Sequence, residues 1–435
     1  MEKLFLGLSI LVKNKEKNMK KIQFPENFLW GSATSAHQVE GGTNNQWTQW
    51  EKDNAQRLAD EAKTKWQPWQ QEKFPEMFEK ENYISGQACD HYNRYAQDFD
   101  LAKQLGQNAH RFSIEWSRIE PEEGKFDEKE IEHYRKVLLA LRERGIEPFV
   151  TLWHWTNPLW LEKKGGASSK RFAESFEKYA KRMAQEFGGL VKFWVTINEP
   201  MSVIPSCYLT GAWPPQKTNP FLALKTYKTL SNAHMLAYDA IHDVSSIAEV
   251  GFANIVAYFE PDNANSFLDR LVVKIAEYFG NKKFLKMTKG KNDFLALQYY
   301  FHHKLSFFKG RTNENKSVND LNWEIYQEGL YHLLKWLKEY NLPIYITENG
   351  LADARDEKRT ELIKDGLTWV HKAISEGVNV RGYFYWSLLD NFEWDKGFWP
   401  RFGLVEVDFK TQERKIRPSA LEYATICKEN AITLE

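Results

Sequence analysis

The sequence predicts an α/β protein built as a single (β/α)8 barrel, and three observations support that fold class. Eight apolar runs of strand length follow one another along the 435 residues, and helical patterns separate most of them. No stretch of linker composition divides the chain, whose length suits one large barrel or two ordinary domains. No Gly-x-Gly-x-x-Gly turn or phosphate-binding loop supports the alternative, a doubly wound sheet with a second domain.

The predicted elements alternate along the chain. The strands are expected at residues 28–35, 110–116, 148–155, 193–199, 250–259, 293–300, 343–350 and 380–389. The helices are expected at residues 92–105, 128–144, 170–187, 220–245, 266–284, 328–340 and 361–376. Gly145 and Gly377 directly follow two of these helices, as is common at helix ends. The tryptophan-rich segment 47–86 is expected to form short helices or a lid whose tryptophans pack rather than bind.

The first 18 residues are predicted to be a dispensable extension, and residues 19–435 a single domain. Residues 4–12 form an apolar run, but lysines follow it and no small-x-small cleavage site appears, so we do not expect a secretion signal. Met19 could serve as an alternative start. No apolar run in the sequence reaches the length of a membrane span.

The charge balance and the cysteines of the chain indicate which partners, bonds and metal sites to expect. Basic and acidic residues number 59 each, so no net field favours nucleic acid or an anionic membrane, and neither is expected as a partner. The three cysteines, Cys89, Cys207 and Cys427, are odd in number and have no ligand spacing. They indicate neither a disulfide framework nor a metal site, and they favour a reducing, cytoplasmic location. No cofactor is expected, and the oligomeric state is left open.

Two glutamates stand where predicted strands stop. Glu199 follows the fourth strand and Glu348 ends the seventh, each next to a chain-breaking residue. Either one alone could be a salt-bridged or capping residue, but an unpaired charge is costly to bury, and paired carboxylates are what general-acid and nucleophile chemistry requires. In a closed barrel the two strands lie three positions apart around one mouth. Their carboxylates can then approach to the roughly 5–5.5 Å that a double-displacement glycosidase needs.

Six motifs occur in order along the chain: FLWGSATSAHQVEG (28–41), RFSI (111–114), TLWHW (151–155), TINEP (196–200), TENG (347–350) and YWSLLDNFEW (385–394). With these motifs the chain resembles the family 1 β-glycosidases, the β-glucosidase and β-galactosidase group, from residue 24 to about residue 427. The resemblance implies a TIM barrel and a retaining mechanism. It further implies hydrolysis of terminal non-reducing β-D-glycosyl residues of small β-glycosides or oligosaccharides.

The resemblance also implies roles for individual residues. Glu348 matches the family's nucleophile and Glu199 its acid/base, while Arg111 and Tyr300 match residues that hydrogen-bond the nucleophile. A cation and a phenol beside Glu348 are expected to hold it ionised, whereas the pKa of Glu199 is expected to be raised. The substrate-binding wall implied by the resemblance consists of Gln38, His154, Trp155, Asn198, Tyr300, Trp386, Glu393, Trp394 and Phe402.

Three positions depart from the family pattern. Gln298 replaces an asparagine, which predicts a longer or rearranged contact near the nucleophile. Met201 replaces a tryptophan, which removes an aromatic wall from the leaving-group side. Phe398 replaces a common tyrosine, a smaller change.

Other activities share parts of this pattern. A transglycosylase would use the same residues with a sugar as the acceptor, and a 6-phospho-β-glycosidase would use the same fold, although the Glu393 carboxylate should repel a 6-phosphate. A binding relative without catalysis would have lost one of the two carboxylates. A Schiff-base aldolase would need a lysine on an inner strand, and the sixth strand has none. The choice among glucose, galactose and fucose is left open.

Overall fold

A computed structural model describes residues 20–434, so the predicted extension over residues 1–18 lies outside the described part of the chain. The strands are β1 (Lys20–Gln23), β2 (Leu29–Ala33), β3 (Ala109–Ser113), β4 (Glu147–Trp153), β5 (Phe193–Asn198), β6 (Glu249–Pro261), β7 (Leu295–Ser306), β8 (Gly310–Arg311), β9 (Ile344–Gly350), β10 (Val380–Trp386), β11 (Val405–Val407), β12 (Arg414–Ile416) and β13 (Ala431–Leu434).

Helices connect most of these strands. They are α1 (Ala36–Val39), α2 (Gln46–Lys65), α3 (Pro68–Lys73), α4 (His91–Gln104), α5 (Trp116–Ile119), α6 (Glu128–Glu143), α7 (Leu159–Glu162), α8 (Lys170–Phe187), α9 (Pro200–Tyr208), α10 (Pro220–His242), α11 (Phe267–Glu277), α12 (Lys283–Met287), α13 (Glu328–Leu337), α14 (Arg359–Ser375) and α15 (Pro418–Glu429). Within residues 20–434, no helix is long and apolar enough to cross a membrane.

Eight parallel strands close into a barrel, as the sequence predicted. The order of hydrogen-bonded neighbours is β2, β3, β4, β5, β6, β7, β9 and β10, and β10 pairs back with β2. Because all eight run in the same direction, their carboxyl ends meet at one rim. Strands β1 and β13 form a separate antiparallel pair.

Beyond small shifts at the ends of other elements, three predicted segments differ clearly from the observed ones. Strand β7 runs six residues past Tyr300, where it pairs with the end of β6 and turns back through β8. The predicted helix 266–284 is broken into α11, a wider turn at Tyr278–Lys282 and α12, and that turn contains Gly280, a poor helix former. The segment 47–86 contains a 20-residue helix, α2, in addition to the short helices expected.

The tryptophans of segment 47–86 pack as expected, with one exception. Trp47 and Trp50 lie on one face of α2, are buried, and meet with ring centroids 5.1 Å apart. Trp66 contacts the buried Trp399 ring at 5.0 Å. Trp69, in contrast, is 39% exposed, so the expectation of packing is wrong for that residue.

Aromatic side chains fill the barrel below the rim. Phe149 stacks on Phe193 with centroids 4.2 Å apart and meets Tyr345 and Phe384 at 5.2 and 4.8 Å. These rings come from four different barrel strands and are at most 5% exposed. The interior is therefore a packed core, and it supports the side chains at the carboxyl ends of the strands.

Truncating the central ring of this core tests its importance. Phe149→Ala should lower the free energy of unfolding by about 3–5 kcal/mol, because it removes the ring on which the other aromatics pack and leaves a cavity. Phe221→Ala is the matched control: Phe221 is 84% exposed, and its loss should change stability by no more than about 0.5 kcal/mol. Denaturant unfolding of both variants measures the difference. Equal stability would show that the core tolerates the gap.

Candidate active site

A cavity of about 260 Å³ opens at the carboxyl ends of the barrel strands. Both predicted catalytic glutamates, Glu199 and Glu348, line it, although their strands lie on different sides of the ring. All of the predicted substrate-binding residues line it as well: Gln38, His154, Trp155, Asn198, Tyr300, Trp386, Glu393, Trp394 and Phe402. Arg111 does not line the cavity, because its side chain is wholly buried against Glu348.

Three side chains donate hydrogen bonds to Glu348, at the end of β9. Arg111 on β3 and Gln298 on β7 both donate to Oε1. The Tyr300 hydroxyl donates to Oε2 at 2.9 Å. Burial raises the pKa of Tyr300 well above its ordinary value, so the phenol keeps its proton and remains a donor. Each carboxylate oxygen therefore has at least one fixed donor.

Gln298, where the family pattern has asparagine, is part of this network. Its Nε2 atom donates to Glu348 and also to Asn198 Oδ1, at 2.9 Å for the second contact. Arg111 also donates to Asn198 Oδ1, and its Nε atom donates to Thr151 Oγ1 at 3.1 Å. The longer glutamine side chain therefore connects Glu348 on β9 with Asn198 on β5, across the end of the barrel. The sequence predicted a longer or rearranged contact at this position but not the second bond to Asn198.

Glu199 stands at the junction between β5 and α9. Pro200 occupies the first helical position, and Glu199 itself has a left-handed backbone with φ of 42°. Such a conformation costs an ordinary side chain about 1–3 kcal/mol and is found mainly where surrounding structure enforces it. The Glu199 amide donates to the Ala253 carbonyl at 2.9 Å, and Ser202 Oγ donates to Glu199 Oε2 at 2.7 Å. Ser202, three residues along the helix, was not recognised from the sequence.

The pKa values of the two glutamates are raised to different extents. Burial raises the pKa of Glu199 well above its ordinary value, and the nearby charge of Glu348 raises it further. Burial also raises the pKa of Glu348, but Arg111 and the Tyr300 hydrogen bond act against that effect. We expected opposite shifts, and that expectation is wrong for Glu348, since burial outweighs the guanidinium. The shift is smaller for Glu348, so its carboxyl group gives up its proton more readily than that of Glu199.

Gln38, Glu393 and His154 are three polar side chains in the cavity that a ligand could contact. Gln38, on α1, donates through Nε2 to the Phe392 carbonyl at 2.8 Å and approaches Glu393 Oε2 at 3.4 Å. Burial raises the pKa of Glu393 to about 7, against the opposing effect of Lys396. His154 Nε2 lies 3.1 Å from Asn198 Nδ2, and its Nδ1 has no hydrogen-bond partner within the described chain. If Asn198 donates to Nε2, the neutral imidazole carries its proton on Nδ1, as a donor available to a bound molecule.

Aromatic rings surround these polar groups. The Trp394 ring packs against the rings of Trp47 and Trp155, with centroids 4.7 Å apart in each pair. The rings of Trp155 and Trp213 have centroids 4.8 Å apart. Trp155 and Trp394 have left-handed backbones, with φ of 73° and 50°. The cluster of rings stabilises these conformations, and it connects the site to α2 through Trp47. Trp386 lines the same cavity beside His154.

The outer part of the cavity was largely missed in the sequence. It is lined by Met201, Ser202, Pro205, Ser206, Trp213, Ile255, Phe301, Trp323 and Lys396. Asp395 organises this rim: it accepts hydrogen bonds from Lys396 Nζ at 2.6 Å, Trp213 Nε1 at 3.0 Å and Lys65 Nζ at 3.3 Å. A tryptophan directly before Pro214-Pro215 was the one sequence feature that could have indicated a fixed loop here. Phe398 packs on Phe392 and Phe409 instead of lining the cavity.

Among residues 20–434, no group of three or more histidine, cysteine, aspartate or glutamate side chains could hold a metal ion. The Arg111 guanidinium pairs with the Glu348 carboxylate at the base of the cavity.

Comparisons with known proteins agree with this geometry. The model of glycosyl hydrolase family 1 matches residues 20–300 and 281–432. Beta-glucosidase A of Thermotoga maritima is 35% identical to this chain, and the match covers 95% of this chain and 99% of the relative. The beta-galactosidase of Pyrococcus woesei is 31% identical, and that match covers 94% of this chain and 98% of the relative.

Solved structures show the same fold. The beta-glycosidase from Pyrococcus horikoshii superposes with a TM-score of 0.83 at 37% identity, covering 95% of this chain and 96% of its own. The Thermotoga maritima beta-glucosidase in complex with glucoimidazole superposes with a TM-score of 0.82 at 31% identity, and the match covers 94% of this chain and 99% of that structure's chain. By sequence and by fold, the chain belongs to glycosyl hydrolase family 1 and is a glycoside hydrolase of the β-glucosidase type.

Proposed function

We propose that this glycoside hydrolase releases single β-D-glycosyl residues from the non-reducing ends of small β-glycosides or oligosaccharides, with retention of configuration. One observation carries the proposal: two buried carboxyl groups face one cavity, and three side chains donate hydrogen bonds to one of them, while burial raises the pKa of the other. A pair tuned in this way can supply a nucleophile and a proton at the same pH.

In the first step, the Glu348 carboxylate attacks the anomeric carbon while the bond from that carbon to the leaving oxygen breaks. Glu199 transfers its proton to that oxygen, and a covalent glycosyl ester forms on Glu348. Arg111, Gln298 and Tyr300 hold the nucleophile in one orientation, so little reorganisation is needed at the moment of attack.

In the second step, water attacks the same carbon from the face that the leaving group vacated. Esterification has removed the charge of Glu348, which is one of the causes of the raised pKa of Glu199. The pKa of Glu199 therefore falls in the intermediate, and the ionised carboxylate can take a proton from the water. The two inversions together give retention.

The sugar itself is proposed to bind between Glu393, Gln38, His154 and the face of Trp386. Glu393 can accept from the 4- and 6-hydroxyls of either 4-epimer, which supports activity on glucosides, galactosides and fucosides. A 6-phosphate is disfavoured because it would meet the Glu393 carboxyl, and the ammonium of Lys396, which lines the cavity, is already paired with Asp395 at 2.6 Å. Transfer to a sugar acceptor remains the alternative, with the aromatic rim as the acceptor site.

We further propose a cytoplasmic location and a single domain over residues 19–435, with residues 1–18 dispensable. All three cysteines are free and buried, which suits a reducing compartment. The family match begins at residue 20, directly after the proposed extension.

Labelling tests the assignment of the nucleophile. A 2-deoxy-2-fluoro-β-glucoside should inactivate the enzyme and add its sugar mass to the peptide that contains Glu348, because fluorine slows hydrolysis of the ester more than its formation. Glu348→Gln should lower kcat by at least about a thousandfold, about 4 kcal/mol at 1.36 kcal/mol per tenfold. Label on another residue, or release of the inverted sugar, would exclude double displacement on Glu348.

Replacing the proton donor should affect substrates unequally. Glu199→Ala should slow alkyl glucosides by about a hundredfold to ten-thousandfold, but nitrophenyl glucosides much less, since a good leaving group needs no proton. The fall in kcat/KM as pH rises through the raised pKa of Glu199 should disappear in this variant, and azide should restore turnover. Ser202→Ala, which removes only the partner of Glu199, should keep the fall. Equal losses on both kinds of substrate would indicate a structural role.

The sugar-binding role of Glu393 is tested by matching substrate to variant. Glu393→Ala should lower kcat/KM for a β-glucoside by at least about a hundredfold, roughly 2.7 kcal/mol. A β-fucoside, which lacks the 6-hydroxyl, should lose less because one of the two contacts is already absent. Glu132→Ala, at an exposed position on α6, serves as the control. Glucoside hydrolysis near the wild-type rate, or a preference of the unmodified enzyme for 6-phosphoglucosides, would contradict the assignment.

A further inference from the structure

Helix α11 has apolar residues on its outer face. Phe267, Leu271 and Ile275 follow one another at four-residue spacing and are 68%, 39% and 50% exposed. Such spacing places them in one stripe along the helix. The inner face is formed by Asp269 and Val273, which are buried. Packing onto the barrel therefore explains the inner face but not the outer stripe.

The hairpin between β7 and β8 adds two phenylalanines to this surface. Phe307 and Phe308 stand at its tip, 51% and 82% exposed. The tip is fixed to the helix because the Phe307 amide donates to Asp269 Oδ1 at 2.9 Å. Phe279, in the turn after α11, is 48% exposed and extends the stripe. We call these residues the apolar face: Phe267, Leu271, Ile275, Phe279, Phe307 and Phe308.

Exposed basic residues lie beside the apolar face. Arg270 and Lys274 are exposed on α11, and Lys309 is exposed beside the hairpin tip, where its ammonium lies 3.8 Å from the Asp262 carboxylate. Residues 262–311 as a whole contain ten lysines and arginines but four aspartates and glutamates, in a chain whose net charge is zero. The overall balance of charges predicted no attraction to an anionic membrane, but it averages over a strongly basic segment.

We propose that the apolar face docks onto the surface of an anionic lipid bilayer. Exposed aromatic and aliphatic side chains flanked by cations are typical of elements that lie in the plane of a membrane interface. Helix α11 has 11 residues, too few to cross a bilayer, so contact is limited to the interface. A two-fold contact with a second copy is less favourable, because it would bring each basic segment against another basic segment.

The apolar face lies at the end of the barrel that carries the cavity. Strands β6 and β7 continue in parallel pairing to Pro261 and Leu305, past the positions where the barrel strands end, and α11 and the hairpin follow from them. Docking would therefore bring the mouth end of the barrel toward the lipid, where glycosides with apolar aglycones concentrate.

Vesicle flotation tests the proposal with the full chain. Protein mixed with phosphatidylcholine vesicles, with or without phosphatidylglycerol, is floated on a density gradient and quantified by gel. The unmodified protein should float with the phosphatidylglycerol vesicles at low salt and much less at high salt. Phe307→Ser/Phe308→Ser should lower the partition coefficient at least about tenfold. Lys274→Ser/Lys309→Ser should weaken binding mainly at low salt.

Two exposed apolar residues elsewhere provide the matched control. Ile247 and Leu421 are 57% and 56% exposed, so Ile247→Ser/Leu421→Ser removes comparable surface and should float like the unmodified protein. Residues 4–12 are the same in all variants and cannot cause a difference among them. Thermal midpoints and hydrolysis of a nitrophenyl glucoside without vesicles should agree among all variants, which shows that each is folded.

Three results would overturn the proposal. The unmodified protein could remain at the bottom of the gradient with phosphatidylglycerol vesicles at low salt. The hairpin variant could float as well as the unmodified protein. Light scattering could show a dimer that the hairpin variant loses, without vesicle binding, and the apolar face would then contact a second copy. Flotation measures protein mass, so its result does not depend on the proposed hydrolysis.

Discussion

The site depends on one buried ion pair, between Arg111 and Glu348. The Arg111 side chain has no exposed surface, so its charge must be balanced inside the barrel. Its contacts with Glu348, Asn198 and Thr151 provide that balance and connect β3 to β9, β5 and β4. The requirement to satisfy one guanidinium thus fixes the relative positions of four strand ends, and through them the geometry of the cavity floor.

The same pair sets the electrostatics of the site. Two carboxylates buried in one cavity would both remain protonated if burial acted alone. Arg111 opposes burial at Glu348, and the resulting charge acts on Glu199 in the opposite sense. The difference between the glutamates therefore comes from the surrounding groups, chiefly Arg111 and the Tyr300 hydroxyl beside Glu348, and not from different local sequences. Both occur in similar contexts, a strand end followed by a chain break.

The sequence predicted most reliably the side chains that regular strands hold in place. Buried parallel strands read as apolar runs, so all eight were recognised, and Glu199, Glu348, Gln38 and Glu393 followed from the strand ends and motifs. Side chains that depend on tertiary contacts were harder to recognise. The effect of Gln298 depends on the distance between two neighbouring strand ends, and no pattern in the sequence encodes that distance. The rim residue Trp213 lies on an irregular connection, which has no periodicity to identify inward positions.

The apolar face was missed for a different reason. The spacing of Phe267, Leu271 and Ile275 is the spacing that ordinarily indicates a buried helix face, and the sequence cannot tell which face of the helix meets the barrel. The buried residues of α11 are fewer and include an aspartate, Asp269, whose role as a hydrogen-bond acceptor for the hairpin appears only in the folded chain. The composition of the whole chain did not reveal the basic segment either, because acidic residues elsewhere cancel its positive charge.

Asp395 connects side chains at the mouth of the barrel that do not belong to the barrel strands. At the base of the cavity, side chains are held by barrel strands and by the buried Arg111 network. At the mouth, Trp213, Lys396 and Lys65 at the end of α2 are instead joined through the Asp395 carboxylate. Exchanges among these residues can change the shape of the mouth without altering the hydrogen bonds that hold Glu348 at its base. Met201, which stands in the place of a tryptophan of the family pattern, lines the same cavity and can likewise change its shape without touching that network.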